Sequence, residues 1–336
     1  MSEIGKSISQ FIIEEQRAHS HSTDDLSGLI NDIVTACKQI AHLVNRSSIM
    51  GISGIADSKN VQGEVQKELD IITNDVMVDA LNWTGNLAGM ASEEIEEIIQ
   101  IPDDQPKGKY LIAFDPLDGS SNIDINLSVG TIFSILRCPE GVTKPTAKDF
   151  MQKGTEQVCA GFCVYGPATM MILTTGKGVN GFTLDRDAGE FILTHPMMTI
   201  PEDTAEFAIN MSNQRFWEEP MQRYVEECIQ GVDGVREKSF NMRWVASMVA
   251  EVYRVLIRGG IFMYPIDSKA SSNGGKLRLM YEASPMSFII EQAGGMSSTG
   301  YERIMDIEAQ DIHQRVPVIL GSKNEVKRVL TYHKNK

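Results

Sequence analysis

The sequence predicts a layered α/β fold, in which helices pack against the faces of β-sheets. Residues 110–114 and 127–137 are apolar, β-prone runs that are typical of buried strands. Apolar side chains between residues 26 and 44 recur at helical spacing, which predicts a long amphipathic helix. Strands and helices of this kind alternate in both halves of the chain, and this alternation indicates layered α/β architecture.

The length of the chain limits the number of domains that it can form. Its 336 residues are too many for one simple core and suit two domains or one large layered domain. Prolines and a lack of periodicity in residues 194–203 indicate a boundary, so we expect domains at 1–199 and 200–336. A hydrophobic fraction of 42% with 23% charged residues describes an ordinary globular protein.

Charge and cysteine content limit the classes of partner and compartment. A net charge of −14 argues against nucleic acid or an anionic membrane as the main partner. No apolar run approaches the roughly 20 residues of a membrane-spanning helix, and the N-terminus lacks a secretory apolar segment, so we expect a cytoplasmic protein. The five cysteines include no CxxC pair. On a strand, Cys159 and Cys163 would be too far apart for a disulfide, which predicts buried thiols.

The first quarter of the chain is predicted to be mainly helical. A first helix is expected at 4–18, and a second one starts near residues 23–25 after a polar break. Residues 51–63 are a loop rich in Gly, Ser and Asp, and 65–81 is another helical stretch. This stretch carries Asp70, whose charge is not explained by a clear row of i, i+4 ion pairs.

A short strand is predicted at 87–92, ending in Glu93 and Glu94. Adjacent residues of a regular strand point to opposite faces, so these acids can share a site only at a strand end or bend. A Ser-capped helix over 95–99, whose N-terminus the acids would favour, explains them equally well.

The later elements continue the alternation. Further strands are predicted at 158–174, 181–184, 190–193, 207–210 and 260–264, and further helices at 217–230, 244–257 and 285–293. The chain contains no internal repeat and no low-complexity tail.

The run YLIAFDPLDGSSNID at 110–124 changes abruptly from a buried strand to a polar loop. Pro116 fixes its own φ and Gly119 permits a tight bend, so Asp115 and Asp118 can both lie at the mouth of the strand. The small residues after the glycine offer backbone N–H groups to an anion. Carboxylates repel a phosphate unless a hard cation lies between them, which favours magnesium or manganese. The alternative is a structural Asp-Pro turn capped by Gly-Ser.

A second motif, GKLRLMYEASP at 275–285, holds two cations and one acid. These are Lys276, Arg278 and Glu282. The local alternative is an edge strand that passes into a helix, with its charges in water.

The second motif and four further segments together carry a family resemblance. The four segments are ASEE at 91–94, DPLDGSSNID at 115–124, NMRWVASMVAEV at 241–252 and GGIFMYP at 259–265. The chain thereby resembles the fructose-1,6-bisphosphatases, within the larger family of metal-dependent, lithium-sensitive phosphatases that includes inositol monophosphatase. The likeness covers nearly the full length.

The resemblance implies a fold and a metal site. The fold is the αβαβα sugar-phosphatase arrangement, with two mixed sheets between layers of helices, and the cofactor is two or more Mg2+ ions per subunit, with Mn2+ as a substitute. It makes the first domain regulatory and metal-binding, and the second sugar-phosphate-binding. The implied metal ligands are Glu93, Glu94, Asp115, Asp118, Glu282 and the backbone carbonyl of Leu117. The implied acids that polarise water or accept its proton are Asp70, Glu64 and Glu94.

The resemblance also implies the substrate contacts. The 1-phosphate loop comprises Asp118, Gly119, Ser120 and Ser121, and the sugar and 6-phosphate contacts are Asn210, Met248, Tyr264, Lys276 and Arg278. In the family an arginine from a neighbouring subunit completes the pocket, and Arg243 matches it, which implies a homotetramer built as a dimer of dimers. Asn213 and Trp244 stand where tyrosines are common around the 6-phosphate, so an amide and an indole replace phenols.

The effector site that the resemblance implies departs from the family pattern. Many members bind AMP where a Thr-Gly-Glu-Leu-Thr run opens a helix, and here the run is TDDLS at 23–27. Asp24 adds a carboxylate near the expected phosphate and removes the backbone freedom of glycine, which predicts weak AMP inhibition. The matching effector residues are Thr23, Asp25, Ser27, Lys109, Tyr110 and Arg137.

The implied activity is hydrolysis of the 1-phosphate of fructose 1,6-bisphosphate, in gluconeogenesis or carbon fixation. Cations suit this reaction because an anionic ester repels hydroxide. Binding of the second phosphate by Arg243 and Lys276 would supply energy remote from the reacting bond. The alternatives are sedoheptulose-1,7-bisphosphatase, inositol monophosphatase, which would not need this pocket, and a catalytically silent sensor, which would lack at least one metal acid.

Overall fold

A computed structural model describes residues 4–18, 24–59, 65–269 and 271–335. The helices are α1 (Ile8–Ala18), α2 (Asp24–Met50), α3 (Glu68–Leu81), α4 (Ala147–Phe150), α5 (Glu219–Gln230), α6 (Met248–Arg258), α7 (Ser284–Gln292) and α8 (Lys323–Lys334). The strands are β1 (Ile55–Lys59), β2 (Val65–Lys67), β3 (Leu87–Ser92), β4 (Ile99–Gln100), β5 (Tyr110–Asp118), β6 (Val129–Arg137), β7 (Cys159–Tyr165), β8 (Thr169–Thr174), β9 (Asn180–Asp185), β10 (Glu190–His195), β11 (Glu206–Ile209), β12 (Asn241–Met242), β13 (Ile261–Tyr264), β14 (Leu277–Arg278), β15 (Met296–Ser298), β16 (Arg315–Val316) and β17 (Val318–Gly321).

The main elements form five layers. An eight-stranded sheet has the order β10-β9-β8-β7-β6-β5-β3-β4, and a five-stranded sheet has the order β12-β11-β13-β17-β15. Helices α1 to α3 cover one face of the larger sheet, α6 and α7 lie between the sheets, and α5 and α8 cover the outer face of the smaller sheet. Each sheet contains parallel and antiparallel pairs. The expected αβαβα fold with two mixed sheets is confirmed.

Strand β5 lies in the middle of this arrangement and is buried on both faces. Tyr110, Ile112 and Phe114 belong to the core beneath α1 to α3, whereas Leu111 and Ala113 belong to the core between the sheets. Successive side chains of a strand point to opposite faces, so an unbroken apolar run is what a doubly covered strand requires. The predicted strand is confirmed, and it continues as far as Asp118, within the run at 110–124.

Two predictions beside this strand are wrong in part. No helix forms over 95–99. Glu93 and Glu94 occupy a turn directly after β3, and the residues after them are irregular up to the start of β4 at Ile99. The Ser92 hydroxyl accepts the backbone N–H of Glu94 at 3.2 Å, which closes this turn instead of capping a helix. The helix expected to begin at residue 65 begins at Glu68, because the three residues before it pair with β1 as strand β2.

The two cysteines of β7, Cys159 and Cys163, are buried free thiols, as predicted. Within the described part of the chain, no helix combines the length and the apolar character that a membrane crossing needs. Glu64 and Thr23, two of the predicted site residues, lie outside the described residues.

Candidate active site

Asp115 and Asp118 lie on the same side of β5 because the strand contains a β-bulge. Asp115 pairs with Ile132 of β6, but Asp118 pairs with Gly130, so β5 advances by three residues while β6 advances by two. Residues three apart point to opposite faces of a regular strand, and the one extra residue returns both carboxylates to one face.

The loop after the bulge turns at Gly119, which has a φ of +73°. A Cβ atom there would lie 2.9 Å from the Cβ of Ser247, so a larger residue would clash as well as strain the backbone. Ser120 opens a short 3-10 turn that ends at Asn122. The Asn122 side chain donates to the Val245 carbonyl at 3.0 Å, which holds the loop against the segment that leads into α6.

Asp118 is tied to the start of α6. Its carboxylate accepts the Ser247 hydroxyl at 3.1 Å and the backbone N–H of Val249 at 3.0 Å. The first N–H groups of a helix have no partner within the helix, so they bind an anion favourably. Burial nevertheless raises the pKa of Asp118 to about 6, although these hydrogen bonds favour the ionised form.

Glu93 reaches the same place from β3, which runs parallel to β5. Its backbone N–H donates to the Phe114 carbonyl at 3.1 Å, so the pairing continues one residue past the strand. The carboxyl ends of parallel strands meet at one edge, and Glu93 and Asp115 line one cavity there. Glu94, the next residue, lines the same cavity.

Glu282 belongs to the π-helical turn Leu279–Ala283, directly before α7. Such turns insert an extra residue and occur frequently at functional sites. The Glu282 carboxylate accepts the backbone N–H of Arg278 at 2.6 Å. The Arg278 guanidinium lies 2.7 Å from Glu93 and 3.7 Å from Glu282. Arg278 thus pairs with two predicted metal ligands.

Three of these acids are arranged to hold a cation. Asp115, Asp118 and Glu282 are buried, and each offers one oxygen such that the three atoms lie within 4.8 Å of one another. Burial and then the neighbouring carboxylates raise the pKa of Asp115 well above its usual value, and burial raises that of Glu282 to about 8. Buried carboxylates ionise readily only beside cations, and a hard divalent ion prefers such oxygen ligands. The set therefore fits a divalent metal.

Asp70 caps the first turn of α3 at the edge of this cluster. Its carboxylate accepts the backbone N–H of Lys67 at 2.7 Å and the Ser120 hydroxyl. Burial raises the pKa of Asp70 to about 6. A carboxylate with that pKa is suited to accept a proton near neutral pH.

One cavity of about 380 Å3 joins the acids to a second group of side chains. The predicted site residues in its lining are Asp70, Glu93, Glu94, Asp115, Leu117, Asp118, Gly119, Ser120, Ser121, Asn210, Trp244, Met248, Tyr264, Lys276, Arg278 and Glu282. Arg243 is outside this lining, with 52% of its side chain exposed and 3.9 Å from Glu206.

Some cavity residues were not predicted. Lys67, Ser247 and Phe262 line it, and Lys67 forms an ion pair with Asp124 at 3.1 Å. Ser247 could have been found, because a serine before an apolar helical run is a typical N-cap. No local signal marks Lys67, whose position depends on the pairing of β1 with β2.

Comparison with known proteins identifies the family. The family models for the N-terminal and C-terminal domains of fructose-1-6-bisphosphatase match residues 6–196 and 200–334. The chain belongs to the fructose-1,6-bisphosphatase family. A fructose-1,6-bisphosphatase class 1 from Halorhodospira halophila is 58% identical over 333 residues, which cover 98% of both chains.

Solved fructose-1,6-bisphosphatase structures share the whole fold. The Leishmania major enzyme in its holo form has a TM-score of 0.91 and 38% identity, over 98% of this chain and 99% of that one. The same enzyme in its T-state has a TM-score of 0.87 and 37% identity, over 99% of both chains.

The residues matched to the effector site of fructose-1,6-bisphosphatases are divided in this structure. Ser27 and Arg137 line a separate cavity of about 210 Å3, which α1 and α2 also line. Lys109 forms an exposed ion pair with Asp25 at 3.1 Å. Tyr110 is buried, and the guanidinium carbon of Arg137 lies 5.7 Å from the centre of its ring.

Proposed function

We propose that this chain is a magnesium-dependent fructose-1,6-bisphosphatase, which hydrolyses the 1-phosphate of D-fructose 1,6-bisphosphate to fructose 6-phosphate and inorganic phosphate. The observation that carries the proposal is the convergence of Asp115, Asp118 and Glu282 within 4.8 Å, in one cavity with the Gly119 loop. The names of the relatives support the same substrate. The reaction belongs to gluconeogenesis or carbon fixation, and we place it in the cytoplasm.

The acidic end of the cavity would hold the metal. When bound, Mg2+ neutralises phosphoryl oxygens, activates water for in-line attack and stabilises the leaving alkoxide. Oxygen-only ligands suit Mg2+ and also Mn2+, which shares this preference. The residues that we assign to this role are Glu93, Glu94, Asp115, Asp118, Glu282 and the carbonyl of Leu117.

The chain's own groups move the proton and orient the ester. Asp70, with its pKa of about 6, accepts the proton of the attacking water. Glu94 and Glu64 are further acids for this step, and Glu64 lies outside the described residues. The backbone N–H groups of residues 119–121 hold the 1-phosphate and stabilise the charge that develops on its oxygens.

The opposite end of the cavity binds the sugar and the 6-phosphate. The residues assigned here are Asn210, Trp244, Met248, Tyr264 and Lys276, all of which line the cavity. Arg278 is also assigned to the substrate, but it lies beside the acids, in ion pairs with Glu93 and Glu282. Arg243 is 52% exposed, and we propose that it enters the cavity of a second subunit within a homotetramer. Residues 1–199 then form a domain that carries the effector site and the metal ligands other than Glu282, and residues 200–336 form a domain that carries the sugar site and contributes Glu282 to the metal.

Phosphate release from three sugar phosphates tests this function. Fructose 1,6-bisphosphate, fructose 6-phosphate and sedoheptulose 1,7-bisphosphate are compared with and without Mg2+. We expect turnover of the first that requires Mg2+ and stops after one phosphate per sugar. Faster turnover of sedoheptulose 1,7-bisphosphate, or equal turnover of fructose 6-phosphate, contradicts the proposal.

We also propose that AMP binds weakly at the second cavity. Asp24 stands in the sequence run TDDLS where the family pattern has glycine, and a carboxylate near the expected phosphate would repel it. Activity measured against AMP concentration tests this. Inhibition at micromolar AMP contradicts it, and Asp24→Gly is expected to strengthen inhibition.

A further inference from the structure

The bulge in β5 is held from the neighbouring strand by a buried hydroxyl. Thr131 lies on β6 between the two residues that pair with Asp115 and Asp118, directly opposite the extra residue. A bulge interrupts the ladder of backbone hydrogen bonds and leaves a residue unpaired. The Thr131 hydroxyl donates to the Pro116 carbonyl at 2.9 Å, so it supplies the hydrogen bond that a strand would otherwise provide.

The peptide unit between Pro116 and Leu117 is thereby held at both of its polar groups. Its carbonyl oxygen accepts the Thr131 hydroxyl, and its N–H donates to the Asp115 carboxylate at 2.9 Å. Because a peptide unit is planar, fixing the carbonyl also fixes the direction of the N–H. The orientation of the Asp115 carboxylate therefore depends on a hydroxyl that lies on the next strand.

A second hydroxyl fixes the direction of the first. The oxygens of Thr131 and Tyr165 lie 2.7 Å apart, and both side chains are buried. The single hydroxyl proton of Thr131 is donated to the Pro116 carbonyl, so the Tyr165 phenol must donate its own proton to the Thr131 oxygen. Burial raises the pKa of Tyr165 well above its usual value, so the phenol keeps its proton. Both side chains lie on the face of the sheet that α2 covers, away from the substrate cavity.

We propose that Thr131, supported by Tyr165, is a positioning residue for the metal site, and that it acts by locking the peptide unit that orients Asp115. Loss of the hydroxyl frees this peptide unit to rotate and leaves the Pro116 carbonyl buried without a donor. The inference rests on the proposed metal site but requires no particular sugar substrate. Partners of this kind typically change metal affinity by about 10- to 100-fold.

Calorimetric titration of the full-length protein with Mn2+ alone tests the proposal. Thr131→Val keeps the shape of the side chain but removes its hydroxyl, and Thr131→Ser keeps the hydroxyl. We expect Thr131→Val to weaken Mn2+ binding by about tenfold or more. Thr131→Ser is expected to bind as the wild type does. Equal Mn2+ affinity of Thr131→Val and wild type, with both folded, overturns the proposal, and so does equal weakening in both Thr131 variants.

Two further variants separate positioning from a general loss of stability. Thr169 is a buried threonine of β8 directly opposite Tyr165, and its hydroxyl has no hydrogen-bond partner among the described residues. Thr169→Val is therefore expected to leave Mn2+ affinity unchanged, and Tyr165→Phe to weaken it less than Thr131→Val. Weakened Mn2+ binding in Thr169→Val overturns the assignment to the Thr131 hydroxyl.

The assay of the wild-type enzyme on fructose 1,6-bisphosphate is kept separate from this titration. If the wild type binds Mn2+ but releases no phosphate, the proposed function fails while the positioning role is still tested by the four variants. If the wild type binds no Mn2+, the positioning proposal is overturned with the metal site.

Discussion

The two ends of the cavity differ in how their side chains are held. Asp115, Asp118 and Glu282 are between 3% and 7% exposed, and each carboxylate accepts a backbone N–H. Tyr264 and Lys276, at the sugar end, are half-buried. The main chain therefore orients the acidic end, whereas Tyr264 and Lys276 at the sugar end are more exposed than the three acids, although Met248 there is 3% exposed.

This difference indicates that the residues proposed for the reaction and those proposed for substrate preference are held in different ways. The carboxylates of the acidic end are positioned by a bulge, a π-helical turn and the start of a helix. The sugar end can change by single side-chain substitutions. Trp244, stacked on Phe262 with ring centroids 6.0 Å apart and an interplanar angle of 5°, is such a place, because the family resemblance leads one to expect a tyrosine near the 6-phosphate.

The largest effect is expected from Asp118→Asn, which tests whether the acidic end decides turnover. Its amide oxygen can still accept the N–H of Val249, so α6 keeps its cap while the charge is lost. We expect kcat to fall by about 10³-fold, the upper range for loss of one electrostatic contact. Steady-state kinetics check this, with circular dichroism to confirm folding. The control is Asp103→Asn, an acid with 73% of its side chain exposed that does not line the cavity. If Asp118→Asn retained about a tenth of the activity, the acidic end would not decide turnover as proposed.

Asp70→Asn is expected to lower kcat by about 10²-fold, within the range for loss of a general base. KM should change much less, because we assign Asp70 to the attacking water and not to the sugar. The asparagine oxygen can still accept the Lys67 N–H, so the first turn of α3 remains capped. Equal kcat in the variant and the wild type rules out the proposed role.

Lys276→Ala tests the sugar end. We expect KM for fructose 1,6-bisphosphate to rise about tenfold with little change in kcat, since we assign the lysine to a group distant from the reacting bond. The control is Lys144→Ala, a lysine with 67% of its side chain exposed that pairs with Asp103. A fall in kcat larger than the rise in KM shows that the two ends are not separable in this way.

The acidic end was largely predictable from sequence because its geometry is encoded locally. Asp-Pro followed by Gly119 marks the bend, and Glu93 follows the end of a strand. What remained open was whether Glu93 belonged to the site or to a helix over 95–99. That choice depends on the parallel pairing of β3 with β5, which connects residues distant in sequence.

Contacts between distant segments explain the remaining differences. The pairing of Arg278 with Glu93 joins β14 to the end of β3, and Ser247 binds Asp118 from a residue number 129 positions away. Hydrophobic periodicity and local motifs contain no information about such pairs. The αβαβα order of layers was likewise implied by the family resemblance, whereas the residues alone indicated only alternating strands and helices.

The smallest expected effect is on the free energy of unfolding, and it distinguishes the acidic end from the sugar end without an activity assay. In the metal-free protein, burial raises the pKa of Asp118 to about 6 and that of Glu282 to about 8, above the value of roughly 4 expected for unfolded carboxylates. Over this window the folded state binds more protons than the unfolded state, so the free energy of unfolding falls as pH rises from about 4 to about 8. A bound divalent cation replaces those protons.

Mn2+ at about 100 times its dissociation constant is therefore expected to raise Tm by several degrees, and by more at pH 8 than at pH 6. Thermal unfolding with Mn2+ and with chelator at both pH values measures this. Glu282→Gln removes the group with the pKa of about 8, so its metal-free Tm should fall less over this interval. Lys276→Ala, at the sugar end, should keep the wild-type slope. The same pH slope in wild type and Glu282→Gln would mean that the charges which limit stability lie elsewhere.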